Sequence, residues 1–192
     1  MRTIKKVASH IFIDGFGGMT QGLFATLIIG TMIQQIGLLI GSSTGNVIYL
    51  LGKAAAALTS AGIGVGVAVK YGESPLVTVS AAVAAMVGGY AGKITGGTFF
   101  VDGNAVLAGP GEPLGAFIAA FAGITCGHLV SGKTKVDIIV TPVITIGAGS
   151  VVGLLVGPPI SQMMTGLGSI INWATEQRPF IMGIVVSVVM GM

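Results

Sequence analysis

The fifteen charged residues of this chain stand far apart, and their spacing limits the fold more than any other feature. No Asp, Glu, Lys or Arg occurs from Gly15 to Gly52, from Ser74 to Gly92, from Pro113 to Gly132, or from Ile138 to Thr175. A helix needs about 20 apolar residues to cross the hydrocarbon core of a bilayer. A charge at the centre of such a helix costs on the order of 2.5–3.5 kcal/mol. Uncharged runs of this length therefore read as membrane spans. Composition excludes the alternatives. Of 192 residues, 53% are hydrophobic and 8% charged, whereas a soluble domain is roughly 25% charged. Fifteen charges do not cover a soluble surface, and so apolar a chain is not disordered. The 33 glycines follow no three-residue period, which excludes collagen.

The charge gaps and three breakers divide the chain. The breakers are Gly72-Glu73-Ser74-Pro75, Gly109-Pro110-Gly111-Glu112-Pro113 and Gly157-Pro158-Pro159. They predict spans near 16–41, 54–70, 75–92, 113–132 and 137–157, with a sixth starting near Phe180. The first and last uncharged runs are too long for one span, so each should hold a span plus an uncharged connection. The expected class is all-α: a polytopic transmembrane helix bundle with a possible re-entrant Gly/Pro-rich loop. Residues 1–13 form a separate element. Ile4, Val7, Ala8, Ile11 and Phe12 recur at helical spacing opposite Arg2, Lys5, Lys6 and His10. That pattern predicts an amphipathic helix lying on the membrane surface. The transmembrane domain then occupies 14–192. Phe180–Met192 is too short for a full span, which reads as part of a longer protein.

With five alternating spans, Arg2, Lys5, Lys6, Lys70, Lys133 and Lys135 fall on one side, and Lys53, Lys93 and Arg178 on the other. The excess predicts a cytoplasmic N-terminus. Small-xxx-small spacings recur at Gly18/Gly22, Gly37/Gly41/Gly45, Gly62/Gly66, Gly88/Gly92, Gly123/Gly127 and Gly149/Gly153/Gly157. In lipid, where helices associate by close packing, such faces let backbones approach.

Most local motifs have a plain reading. Gly127–Thr134 fits the P-loop pattern G-x-x-x-x-G-K-T, but a 20-residue apolar run precedes it where a P-loop needs a strand. It reads as a helix end with anchoring lysines, and His128 as an interfacial residue. The lone Cys126 reads as a small buried apolar residue. Nothing in the chain calls for a cofactor, a metal or a nucleic-acid partner. Asn172, Trp173, Glu176, Gln177 and Arg178 form a polar cluster near the end, where Trp173 fits either an interfacial belt or a sugar face.

The segment suited to a ligand is Ile94–Gly115, ITGGTFFVDGNAVLAGPGEPLG. It is long for a turn and rich in glycine and proline. Non-helical backbone sits at membrane depth only where protein buries it or a wet cavity receives it. Asp102, Asn104 and Glu112, with backbone groups at Gly109 and Gly111, would suit a neutral polyhydroxylated ligand, because a carboxylate accepts from neighbouring hydroxyls and an amide both donates and accepts. An ordinary external loop fits the same composition.

Several blocks together resemble a known family. They are Phe12–Gly22 (FIDGFGGMTQG), Gly62–Ala68 (GIGVGVA), Val101–Phe117 (VDGNAVLAGPGEPLGAF), Ser131–Pro142 (SGKTKVDIIVTP), Gly153–Pro159 (GLLVGPP) and Ile171–Pro179 (INWATEQRP). The chain resembles the enzyme IIC-like membrane subunits of the bacterial sugar phosphotransferase system. It looks closest to the branch that includes membrane proteins named as toxin (perfringolysin) regulators, whose members are longer. The resemblance implies a phosphoenolpyruvate-dependent system, a homodimer in the bacterial plasma membrane, and inward movement of a carbohydrate. It also implies partner IIB and IIA proteins, with IIB passing a phosphoryl group to the sugar; no IIA- or IIB-like soluble region is present in the chain. It matches Glu112 to a sugar-contacting glutamate in a Gly/Pro-rich motif. The regulator relatives leave open a membrane-embedded regulator or sensor of gene expression that transports nothing.

Overall fold

The computed structural model describes residues 10–101, 104–106, 109–176, 183 and 187. It is a helix bundle. A long helical rod, α1 (Ile13–Ile40), enters through a π-type turn at His10–Gly15 and contains a second at Phe24–Ile28. Gly41, at φ +62°, ends it in the left-handed conformation that glycine adopts without penalty. Then come α2 (Ser43–Ala57), α3 (Thr59–Lys70), α4 (Pro75–Gly89) and the short α5 (Ala91–Thr95). A two-residue ribbon follows, pairing β1 (Phe100–Val101) with β2 (Asn104–Ala105). Helices α6 (Pro113–Val130) and α7 (Asp137–Glu176) complete the described chain.

Three of these helices, α1, α6 and α7, are long and apolar enough to cross a membrane. The pair α2 and α3, bent by 53° at Leu58, makes a fourth if it counts as one span. The all-α class is therefore the observed one. Three expectations about the spans change. The uncharged connection before residue 54 is itself helical, because Ser42 caps α2 by accepting from the Gly45 amide at 3.4 Å. The expected span at 75–92 is only a 15-residue helix plus a stub, about 22 Å at 1.5 Å per residue. One side of it packs on protein, with Val77, Ser80, Ala81, Ala84, Ala85, Gly88 and Gly89 buried, while Val79 and Val83 stay exposed. The break at Gly157-Pro158-Pro159 does not occur either. Helix α7 runs through all three of its prolines for 40 residues. Leaving the helix there would free more backbone groups than the two missing donors do, and in an apolar setting they would find no partner. The surface helix at 1–13 and the sixth span from Phe180 lie almost wholly outside the described residues.

The core joins α3, α4 and α6 through Ile63, Val67, Ala68, Val77, Ala81, Ala85, Ala116, Phe117, Ala120 and Ile124. Small residues bring the helices into backbone contact. A Cβ on Gly18 would stand 2.6 Å from the Gly66 carbonyl oxygen, so the Gly18/Gly22 face of α1 meets the Gly62/Gly66 face of α3. Along α7, a Cβ on Gly149 would lie 2.6 Å from Ala84 Cβ, and one on Gly153 would lie 2.9 Å from Gly88 Cα. The 149–157 triplet is thus a packing face against α4, α5 and α6. In the Gly37/Gly41/Gly45 series, Gly37 and Gly45 face each other across the α1–α2 hairpin, while Gly41 serves the turn. Some buried hydroxyls bond back to their own helices, as Thr145 does to the Thr141 carbonyl at 2.8 Å.

Candidate functional site

Helices α4 and α6 run antiparallel, so the turns at residues 71–74 and 131–136 meet at one end of the bundle. There the Ser74 and Ser131 hydroxyls are 3.1 Å apart, and His128 Nδ1 lies 3.0 Å from Glu73 Oε1. The Gly127–Thr134 segment belongs to this end. Gly127–Val130 is the last turn of α6, the Gly132 amide donates to Asp137 Oδ1 at 2.9 Å, and Lys133 Nζ donates to the Leu129 carbonyl at 2.7 Å. The amide and the lysine that a P-loop would turn to phosphate are therefore committed elsewhere.

The opposite end carries the long connection between α5 and α6. Its last residues, Gly109-Pro110-Gly111-Glu112, are suspended from buried groups of α3 and α4. The Tyr90 hydroxyl donates to the Gly109 carbonyl and to the Ala57 carbonyl, the latter at 3.2 Å. Ser60 Oγ donates to the Pro110 carbonyl at 2.9 Å. The Glu112 amide donates to the Gly89 carbonyl at 2.7 Å. Gly109 and Gly111 take φ values of +83° and +74°, which only glycine adopts freely. The path then turns sharply enough for Pro113 to open α6, where its missing N–H is no loss.

Beside this strap lies a cavity of about 230 Å³ lined by Gly89, Gly92, Lys93, Pro110, Gly111, Glu112 and Ser161. Three side chains bring polarity to it: a carboxylate at the head of α6, an ammonium on α5, and a hydroxyl on α7. Lys93 Nζ also stands 5.3 Å from the Tyr90 ring centroid, a cation–π distance. Burial pushes the Glu112 carboxyl above its usual range, and the Lys93 cation pulls it partly back. Burial also pushes the Tyr90 phenol up, so it remains a donor to the strap. A Cβ on Gly92 would stand 2.7 Å from Ser161 Oγ, so the absence of a side chain there lets α7 close on α5.

A family model described as "Phosphotransferase system, EIIC" matches residues 13–192. The chain belongs to that family. No curated protein and no solved structure matches it. This EIIC chain is thus a membrane component of the phosphotransferase system, in line with its enzyme IIC-like sequence blocks. The matched region takes in the whole described bundle and the cavity.

Of the five site residues named from the EIIC sequence, Glu112 and Gly111 line the cavity. Gly109 shapes the strap and offers its carbonyl to Tyr90. Asn104, on the ribbon, is exposed and is not among the cavity-lining residues. Asp102 is outside the described residues. Sequence reasoning missed Lys93, Ser161, Tyr90 and Ser60. Lys93 had a signal, as the charge nearest the start of the Gly-rich connection. Ser161 follows the Gly157-Pro158-Pro159 block, and only the continuation of α7 through those prolines carries it to Glu112. No metal-holding cluster of His, Cys, Asp or Glu occurs among the described residues.

Proposed function

We propose that this EIIC chain binds a carbohydrate at the Glu112 cavity and moves it inward across the bacterial plasma membrane. The N-terminus and the Lys70, Lys133 and Lys135 end face the cytoplasm. In this reading Glu112 accepts hydrogen bonds from adjacent sugar hydroxyls, and the Gly109–Gly111 strap supplies backbone groups beside it. Asp102 and Asn104, on the same connection, supply further acceptors and donors in this reading. The chain works as a homodimer, with a IIB partner delivering the phosphoryl group from the cytoplasmic side and IIA recharging it. The chain itself supplies binding, orientation and passage.

One observation carries this reading: a carboxylate lines a small polar cavity at the junction of three apolar helices, beside a strap tied to Tyr90, Ser60 and Gly89 through the Gly109 and Pro110 carbonyls and the Glu112 amide. An ionisable group among apolar helices is costly, and such groups mark substrate paths. Sugar uptake by vesicles containing the chain and its partner proteins tests the reading. Glu112→Gln keeps the shape and removes the charge, and uptake should fall by about tenfold or more, the value of a hydrogen bond to a charged acceptor. Wild-type uptake by this variant would remove Glu112 from the site.

A further inference from the structure

The cavity holds more than the carboxylate, and its other polar groups bear on which sugar it takes. Among the described residues that line it, the charges are one carboxylate, Glu112, and one ammonium, Lys93. They come from different elements, the head of α6 and the stub α5. The third polar side chain, Ser161, approaches from α7 across the Gly92 gap. Glu112 only accepts, Lys93 only donates, and Ser161 does both. A pyranose ring offers hydroxyls around its whole rim, each able to donate and accept. Such a ligand can bond to both groups at once and adds no charge of its own. The volume points the same way. About 230 Å³ lies below the 300–1,000 Å³ usual for drug-sized ligands and suits one ring rather than two.

We infer that Lys93 and Ser161 are specificity-determining residues that, opposite Glu112, select a neutral monosaccharide over charged sugars and disaccharides. The inference rests on the binding role proposed for this cavity. An acidic sugar brings a second carboxylate beside Glu112. An amino sugar brings a second cation beside Lys93. Either places a like-charge pair in a cavity whose two charges already offset each other, so the added charge has no net partner, and discrimination of this kind is built from repulsion as much as attraction. A disaccharide has to leave one ring outside the cavity.

The test is calorimetric titration of the full chain in lipid nanodiscs near neutral pH. The probes are glucose, galactose, mannose and fructose, then glucuronate, galacturonate, glucosamine and maltose. Wild type should prefer a neutral hexose over its acidic and amino counterparts, and over maltose, by about tenfold or more. Glu112→Gln should shift preference toward the uronates, and Lys93→Met toward glucosamine, each by about tenfold. Ser161→Ala should weaken the neutral sugar about tenfold and leave the charge preference in place. The charge swaps are gains of binding, so a damaged protein does not imitate them.

Neutral binding by wild type with no swap in either charge variant overturns the inference and spares the binding role of Glu112. Maltose binding as tightly as the hexoses overturns the size argument. Neutral binding undiminished by Ser161→Ala removes Ser161 from the set. Absence of any binding by wild type overturns the underlying site reading as well.

Discussion

The two ends of this bundle solve the same problem with different materials. At the lysine-rich end, the chain reverses in short turns closed by side chains: Ser74 with Ser131, Glu73 with His128, and Asp137 with the Gly132 amide. At the other end, the reversal from α5 to α6 takes a long connection, and its last stretch is tied by backbone carbonyls to the buried Tyr90 and Ser60 hydroxyls. At the first end the charged pair is uneven: His128 is 71% exposed and Glu73 9%. At the second a carboxylate and an ammonium line one cavity. An end that only turns the chain can be closed by pairs that keep one partner in solvent, each worth about 1 kcal/mol. An end that holds a ligand, as proposed for the second, needs groups fixed from behind, so that binding does not bear the cost of ordering them.

The comparison breaks most directly at the helices that hold the two ends together. Gly149→Leu drives a branched side chain into Ala84 and the Ala119 carbonyl, where even a Cβ has 2.6–2.7 Å. Overpacking of this kind costs about 1–3 kcal/mol and sometimes more. It should lower the thermal midpoint in detergent or abolish a monodisperse preparation, and both ends should fail together. An unchanged midpoint would show that α7 does not pack against α4 and α6 as described.

The next effect separates the ends. Burial raises the Glu112 carboxyl pKa, so the carboxylate proposed to accept from the ligand is fully present only above that raised value. Sugar binding should therefore weaken on acidification sooner than an ordinary carboxylate would dictate. Glu112→Gln should flatten that profile. A wild-type profile with no acid limb, measured by calorimetry across pH, argues against a carboxylate acceptor.

Tyr90→Phe acts on the strap and on its tie to the end of α2. It removes the single proton shared between the Gly109 and Ala57 carbonyls, worth about 0.5–1.5 kcal/mol net. Sugar affinity should fall a few-fold to tenfold while the lysine-rich end is untouched. Faster hydrogen exchange confined to residues 109–112 would report the loosened strap.

The smallest effect belongs to the lysine-rich end. Glu73→Gln should lower stability by about 1 kcal/mol and leave sugar binding as it was, since the Glu73 side chain is 9% exposed but its histidine partner is 71% exposed and the amide can still accept from it. A large loss of binding from this substitution would mean that the two ends are coupled.

Much of the fold was legible in the chain itself. Charge-free runs marked α1, α6 and α7, and glycine spacing marked the faces that meet, since 18/22 does pack on 62/66 and 149–157 on α4, α5 and α6. Helix periodicity and the exclusion of charge from lipid are local properties, so they are written locally. The failures were also physical. Prolines 158 and 159 read as a break because propensity describes an isolated helix, whereas α7 continues where its backbone has no better partner. The short α4 read as a span because its apolar residues face protein as readily as lipid. Of the site, Glu112 was legible because a lone carboxylate in a Gly/Pro-rich segment stands out. Ser161 was not, because nothing local distinguishes a serine that meets a cavity from one that bonds to its own helix.

The sequence by itself determined that this is a membrane helix bundle, that its helices touch through glycine, and that its polar chemistry centres on the connection ending at Glu112. Charge spacing and glycine spacing suffice for that, because lipid penalises charge everywhere and backbone contact needs small residues wherever it occurs. Only the tertiary structure decided that Lys93 and Ser161 face Glu112 across one cavity, and that Tyr90 and Ser60 hold the strap beside it. Those residues are up to 101 positions apart along the chain (Ser60 to Ser161). They meet because the packing of α7 against α4 and α5 sets the register between helices, and no local rule of propensity or periodicity contains that register.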